Sequence, residues 1–263
     1  MAGLGFLIKV INNNLIIHKP SLYSGGFLFI CMKELLSIVI PCKNEKNVIV
    51  EALYCLRDQQ GIEGVKIIIA DDSTDNTLSL VTFFNQFAKL NIEYVKGGLP
   101  AIARNNGAKI VATPYILFLD SDTYLYNSNL LSKCLDICIT GKYDLVTCKF
   151  TTDKKYSWVY RVFDIFQWYS SITKPFSLGG FMLFKTETFN KLGGFNEEDK
   201  IAEDYHLSSK IKPKRFKITN YFVHTPSRRF SKKGIWYMIK LAWASWVNRN
   251  NDEFFKKDYN YWK

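Results

Sequence analysis

The feature that most constrains this chain is an alternation. Short apolar, β-branched runs are each followed by a segment with helical apolar spacing. Residues 35–40 (LLSIVI), 65–70 (VKIIIA) and 115–119 (YILFL) are almost unbroken apolar runs, and residues 92–95 read as a further strand. Runs of that length without polar alternation describe strands covered on both faces, the environment of a parallel sheet. Between them, residues 47–58 carry Val48, Ala52, Leu53 and Leu56 at helical spacing. Ser73 and Asp75 can cap a helix reaching residue 87, and residues 100–110 read as a third helix. This pattern predicts an α/β architecture with a mostly parallel central sheet flanked by helices on both faces. In such sheets ligands sit outside the carboxyl ends of the strands.

After residue 122 the regularity fades. Residues 130–139 and 158–171 read as helices, and 144–150, 181–185 and 216–224 as strands. A helix begins at 203–210, and residues 232–248 form a tryptophan-rich helix. The chain of 263 residues is long enough to bury one α/β core, and residues 1–33 read as an appendage ending at an alternative start, Met32. A composition of 48% hydrophobic and 22% charged residues excludes wholesale disorder and collagen-like repeats. No run reaches the ~18 apolar residues of a spanning helix. Residues 25–32 are too short, and 235–247 are interrupted by Lys240. The six cysteines form no CxxC pair and no zinc-like or disulfide-like spacing, so a reducing, cytoplasmic compartment is expected. The net charge of +11 is uneven: residues 1–204 carry 21 Lys/Arg against 21 Asp/Glu, and residues 205–263 carry 14 against 3.

Two strands run straight into paired acids, Asp71-Asp72 and Asp120-Ser121-Asp122. A carboxylate leaving a buried strand is costly unless water, a cation or a donor group meets it. Two such pairs at one sheet edge therefore point to a shared polar cleft. Hard divalent cations take one or two carboxylates together with substrate phosphates. For either pair alone, an Asp cap opening a helix or turn is the usual explanation.

In order along the chain, SIVIPCKNE (37–45), IIIADDSTDNT (67–77), ARNNGA (103–108) and LFLDSD (117–122) resemble the nucleotide-binding half of family 2 glycosyltransferases. LGGFMLFKTETFNKLGGF (178–195) and AEDYHLSSKI (202–211) continue the likeness, which covers residues 35 to about 234. The resemblance implies the GT-A fold, a Rossmann-like, mostly parallel central sheet flanked by helices, with a C-terminal acceptor region. It sets a glycosyltransferase domain at 34–231, with a nucleotide-binding half (34–123) and an acceptor half (124–231). A basic, aromatic helix and tail follow at 232–263.

The same resemblance implies inverting, metal-dependent transfer of a single sugar from a nucleotide-diphosphate sugar, UDP- preferred over GDP-, to a hydroxyl or phosphate of a glycan or lipid-linked acceptor. On that basis Pro41, Asn44, Glu45, Asp71 and Asp72 hold the nucleotide. The choice between Asp71 and Asp72 for the base stays open, because the glycine that usually follows the pair is missing. Arg104 would face the diphosphate or Asp120, while Asp120 and Ser121 would contact ribose or sugar. Asp122, with Asp120 and His224, would hold Mn²⁺ or Mg²⁺, and Gly179 and Gly180 would let donor or acceptor approach the backbone. Asp204, beside Glu203, matches the family's catalytic base.

These assignments suit the reaction. Negative charge grows on the departing diphosphate, which a cation stabilises. The attacking hydroxyl loses a proton to a carboxylate within hydrogen-bond reach. The QxxRW signature of processive members is absent; Ser227-Arg228-Arg229-Phe230 stands in its place, and Arg228 and Arg229 could grip a phosphate with forked donors. Each has a plainer counterpart. Asp72 can cap a helix, Arg104 can form a surface ion pair, Glu203 and Asp204 can complement a helix dipole, and the two arginines can form a solvated face.

Residues 232–248 combine Trp236, Trp243 and Trp246 with aliphatic residues and basic flanks. Such a helix either lies on anionic lipid or covers the core, and peripheral contact with the cytoplasmic face of a membrane is expected. Two other classes fit less well. A basic, aromatic nucleic-acid binder would leave both Asp pairs unexplained, so no nucleic acid is expected. A haloacid-dehalogenase-like phosphatase needs Thr or Val two places beyond its second Asp, where Tyr124 stands.

Overall fold

The computed structural model describes residues 31–228, 234–248 and 250–257, together with the backbone of two short strands, β1 (Ile8–Ile11) and β2 (Asn14–Ile17). The chain divides into two units, residues 1–30 and 31–263. In the first, β1 and β2 pair as an antiparallel ribbon. The appendage expected over 1–33 otherwise lies outside the described residues, except for residues 31–33.

The second unit is built on a seven-stranded mixed sheet. Its strands are β3 (Leu36–Cys42), β4 (Lys66–Asp71), β5 (Asn91–Lys96), β6 (Tyr115–Leu119), β7 (Leu145–Thr151), β8 (Phe181–Lys185) and β9 (Phe216–His224), in the order β5-β4-β3-β6-β8-β7-β9. β3, β4 and β6 are the strands whose sequences lack polar alternation, and their central residues are fully buried. β5 is the exposed edge, which its Glu93 and Lys96 suit.

β3 runs past the apolar residues 35–40 to Cys42, with Pro41 opposite Ala70 of β4. Pairing with β6 stops at Val39 opposite Phe118, so Pro41 lies beyond the ladder that would need a donor on that side.

The register positions the site. β3 pairs in parallel with both β4 and β6, while the chain goes from β3 to β4 and β5 before crossing back to β6. The switch point therefore lies between β3 and β6, where the carboxyl ends open a crevice. β8 then runs antiparallel to β6, with Phe181 opposite Leu119, which delivers Gly179-Gly180 beside Asp120. The Asp120 N–H donates to the Gly180 carbonyl at 3.4 Å. β9 ends at His224, whose backbone exchanges hydrogen bonds with Tyr124 (2.8 and 3.0 Å) and so leads residues 225–228 across the Asp120–Asp122 turn.

Helices α1 (Met32–Leu35), α2 (Ile49–Arg57), α3 (Thr77–Ala88), α4 (Pro100–Ala108), α5 (Leu130–Thr140), α6 (Ser157–Thr173), α7 (Thr186–Lys191), α8 (Glu203–Ser208), α9 (Ile235–Val247) and α10 (Asp252–Lys256) complete the unit. Val39, Phe118, Phe184, Phe189 and Phe195 join strands and helices in one buried cluster. A second cluster packs Phe254 and Phe255 of α10 against Tyr205 of α8, tying the C-terminal segment to the helix that carries Asp204.

Candidate active site

The ARNNGA segment does three jobs in α4. A Cβ at Gly107 would stand 2.4 Å from Val39 Cγ1, so glycine is what lets the helix lie close on β3. Asn105 holds the loop after α7, accepting the Phe195 N–H at 3.0 Å and donating to the Phe195 carbonyl at 2.8 Å. With both neighbours fixed, Arg104 points into the crevice. It is 2% exposed, donates to Asp120 Oδ1 at 2.7 Å and to Glu203 Oε1 at 2.5 Å, and lies over the Phe195 ring at 5.3 Å. The surface ion pair that this arginine could have formed is thus ruled out. It is an interior fork joining the second Asp pair to the start of α8.

Asp204 sits beside that fork. Its Oδ2 accepts the Gly179 N–H at 2.6 Å and its Oδ1 accepts the Tyr205 N–H at 2.7 Å. Burial, and then the charge of Glu203, push its carboxyl up to about 7, against the opposing pull of Arg104 and the two backbone donors. A carboxylate poised near neutrality suits a general base. The glycine pair has a specific local reason: a Cβ at Gly179 would come within 2.5 Å of Arg104 Nη2 and 3.3 Å of Asp204 Oδ2. A Cβ at Gly180 would come within 2.6 Å of Phe150 and 2.9 Å of Thr123 Oγ1. Gly179 therefore leaves room for the protein's own ion pair and base, and Gly180 for Phe150 and Thr123.

On the other side, Asp122 is 3% exposed and accepts Arg228 at its Oδ2, from Nη2 at 2.7 Å and Nε at 3.1 Å. The same guanidinium donates to both oxygens of Glu45, at 2.6 and 2.8 Å. Arg228 thus links the loop after β3 to the turn after β6; Arg229 lies outside the described residues. Both Arg228 contacts fall on Oδ2 of Asp122, and Asp122 with Asp120 is an all-oxygen donor pair. That set fits a hard divalent cation whose remaining ligands come from phosphates. The His224 ring stacks on Tyr124 (6.0 Å, 14°) with Nε2 3.8 Å from Asp153, and among the described residues no three His, Cys, Asp or Glu side chains are grouped to hold a metal.

At the switch point Asn44, with a left-handed φ of 56°, accepts the Thr74 N–H at 2.8 Å and donates its own N–H to Ser73 Oγ at 2.8 Å. Its side-chain oxygen clasps the loops after β3 and β4 together. Asp71 accepts from Ser73 Oγ at 2.6 Å, and Asp72 is partly exposed and paired with Lys43 at 2.7 Å rather than capping α3. The N-cap position of α3 is Asn76, which makes no side-chain cap bond, and Asp75 just before it accepts the Thr77 N–H at 3.0 Å. Pro41 is half-buried in β3, and Ser121 is buried within the turn.

Asp120, Asp122, Arg104, Glu203, Asp204, Gly179 and Gly180 line one cavity of about 370 Å³, whose other walls come from α6 and α9. The sequence reading missed Thr123, Phe150 and the Thr225-Pro226 step in these walls. Only the buried position of Thr123, directly after the Asp pair, could have signalled one of them.

An α/β sheet with acidic pairs at its switch point, and an antiparallel strand returning a glycine pair to the second of them, is the GT-A arrangement of glycosyltransferases. Mannosyltransferase PcManGT from Pyrobaculum calidifontis, in complex with GDP-Man and Mn²⁺, is similar with a TM-score of 0.62 at 20% identity, over 72% of this chain and 56% of that one. S. aureus TarS 1-349 in complex with UDP gives 0.58 at 22% identity, over 73% and 60%. The glycosyl transferase family 2 pattern matches residues 37–203, more than half of the chain, and the protein belongs to that family. The poly(ribitol-phosphate) beta-glucosyltransferase of Bacillus spizizenii is 40% identical over 104 residues, 36% of this chain and 16% of that protein. The chondroitin synthase of Escherichia coli is 36% identical over 92 residues, 33% of this chain and 13% of that protein. The match thus spans less than a fifth of either relative's length.

Proposed function

We propose that this glycosyltransferase moves one sugar, with inversion at the anomeric carbon, from a nucleotide-diphosphate sugar to a hydroxyl of a glycan or lipid-linked acceptor. The observation that carries the reading is the convergence of Asp120, Asp122, Arg104 and Asp204 on one cavity at the switch point. The nucleotide lies over the loops clasped by Asn44, with Asp71 or Asp72 at the base and UDP preferred over GDP. Mg²⁺ or Mn²⁺, held by Asp122 with Asp120, would neutralise charge on the diphosphate leaving group. Asp204 takes the acceptor proton, Arg104 fixes Asp120 and Glu203 around it, and Arg228 lies where it can turn from Glu45 to a phosphate. The domain spans 34–231, and the basic C-terminal region lies on the cytoplasmic face of a membrane. Among the described residues no helix is long and apolar enough to cross one.

Thermal melting with UDP-, GDP- and dTDP-sugars, with and without Mn²⁺, tests the donor assignment. At about a hundredfold excess over Kd, one nucleotide class together with Mn²⁺ should raise Tm by roughly 5–10 °C. Asp122→Asn should abolish the metal-dependent part. A wild-type protein stabilised by no nucleotide would contradict the reading.

The raised carboxyl of Asp204 gives a pH prediction. The working base is the ionised form, so protonation below about 7 removes it. The acidic limb of kcat/KM, which reports the free enzyme, should therefore bend near pH 7 and fall about tenfold per unit below that. A limb bending near pH 4, the ordinary carboxylate range, would place the base elsewhere.

A further inference from the structure

Most of the residues that line the cavity are apolar. One end is formed by Asp120, Asp122 and Asp204; the other passes between α6 and α9, lined by Val159, Phe163, Leu241 and Ala242. Both helices also leave apolar stripes in solvent. On α6, Trp158, Val162, Ile165, Tyr169 and Ile172 follow helical spacing, and on α9 so do Trp236, Ile239, Trp243 and Val247. Trp158, Val162, Ile239 and Trp243 belong to both sets, being exposed and lining the cavity. These four side chains therefore carry apolar surface from the outside into the wall of the cavity that the carboxylates also line.

Inside it, Ser245 of α9 is 5% exposed, lines the cavity, and its hydroxyl has no hydrogen-bond partner among the described residues. A buried hydroxyl without a partner is costly in a wall that is otherwise apolar. It is accounted for by an occupant that brings a polar atom part-way along an apolar body.

Resting on the transferase reading above, we propose that the space between α6 and α9 is the acceptor subsite for an amphiphile, a sugar carried on a single hydrocarbon chain. The chain lies between the two helices, the linkage oxygen meets Ser245, and a hydroxyl of the head reaches Asp204. A water-soluble oligosaccharide is a poorer occupant, because its hydroxyls would lose water against Val159, Phe163 and Leu241 without gaining partners. The volume, about 370 Å³, falls in the range of small-molecule sites. Exposed Lys154, Lys155 and Arg161 near α6, and Lys240 on α9, supply the positive charge that favours an anionic lipid surface as the source of the chain.

The test uses methyl, octyl and dodecyl glucosides below their micellar concentrations, with binding followed by the fluorescence of the cavity tryptophans. Affinity should rise with chain length, roughly fourfold per methylene entering the cavity, and level off once it is full. Ser245→Leu and Ala242→Phe narrow the apolar end. Ser245→Leu also removes the unpartnered hydroxyl, and the nucleotide melting shift reports whether each variant keeps its fold. Each variant should weaken dodecyl glucoside binding at least tenfold while leaving the nucleotide-plus-Mn²⁺ melting shift unchanged. Long-chain glucosides binding no tighter than methyl glucoside, or binding equally to the filled variants, would overturn the subsite while the melting shift upholds the transferase. Chain-dependent binding with no nucleotide response would overturn the acceptor role by removing the reaction it serves.

Discussion

Asp204→Asn should retain the metal-dependent melting shift given by the nucleotide-sugar and lower transfer by ~10²–10⁴-fold, the usual worth of a positioned general base. The split follows from where Asp204 makes its contacts. Its oxygens accept from Gly179 and Tyr205, whereas Asp122, the residue proposed to hold the cation, is held by Arg228. An amide keeps the shape of the group and removes its basicity. Donor titration by melting and initial rates at saturating donor, run on the same preparation, separate the two effects. Transfer at near wild-type rate would remove Asp204 from its role. Loss of donor binding alongside transfer would assign it to the donor.

Arg104→Met should be the most destabilising single change in the site. The guanidinium neutralises Asp120 and Glu203 at 2.7 and 2.5 Å, with only 3% of its side chain exposed and 5% of that of Glu203. Methionine fills a similar volume but leaves those carboxylates facing each other without a cation. Breaking a buried pair in this way costs about 3–5 kcal/mol, which lowers Tm by roughly 6–20 °C for a domain of this size. Arg104→Lys should recover little, since one ammonium cannot reach both partners with the geometry of a fork. Arg104 also pulls the Asp204 carboxyl down, so whatever activity survives in the methionine variant should have its acidic limb moved to higher pH. A variant as stable as wild type, with an unmoved limb, would mean that the carboxylates find other partners.

The parts of this molecule set by near-neighbour physics were legible in the sequence. β6 and β8 begin and end at the expected residues, because Pro114 and Gly180 before the apolar runs, and Asp120 and Lys185 at their ends, leave little freedom in where a buried strand starts and stops. The acidic pairs fall at strand ends for the same reason. Other features depend on partners far apart in the chain and carry no local mark. Arg104 meets Glu203 across 99 positions, and Arg228 meets Glu45 across 183. Nothing in ARNNGA says that its arginine is interior rather than on the surface; burial is decided by the return of β8 and α8 over the sheet. His224 stands at a strand end, as an acidic-site ligand would, but stacking on Tyr124 claims its ring. Helices were expected at the aromatic-rich residues 158–171 and 232–248, where α6 and α9 lie. Their shared cavity was not, because it is a property of the space between them.

The proposed reaction is a single displacement in which Asp204 deprotonates the acceptor as the nucleotide diphosphate leaves. The most direct measurement is the anomeric configuration of the product, read by proton NMR from the first turnovers with an α-linked nucleotide-sugar. Attack on the face opposite the leaving group predicts a β-linked product. An α-linked product would contradict it.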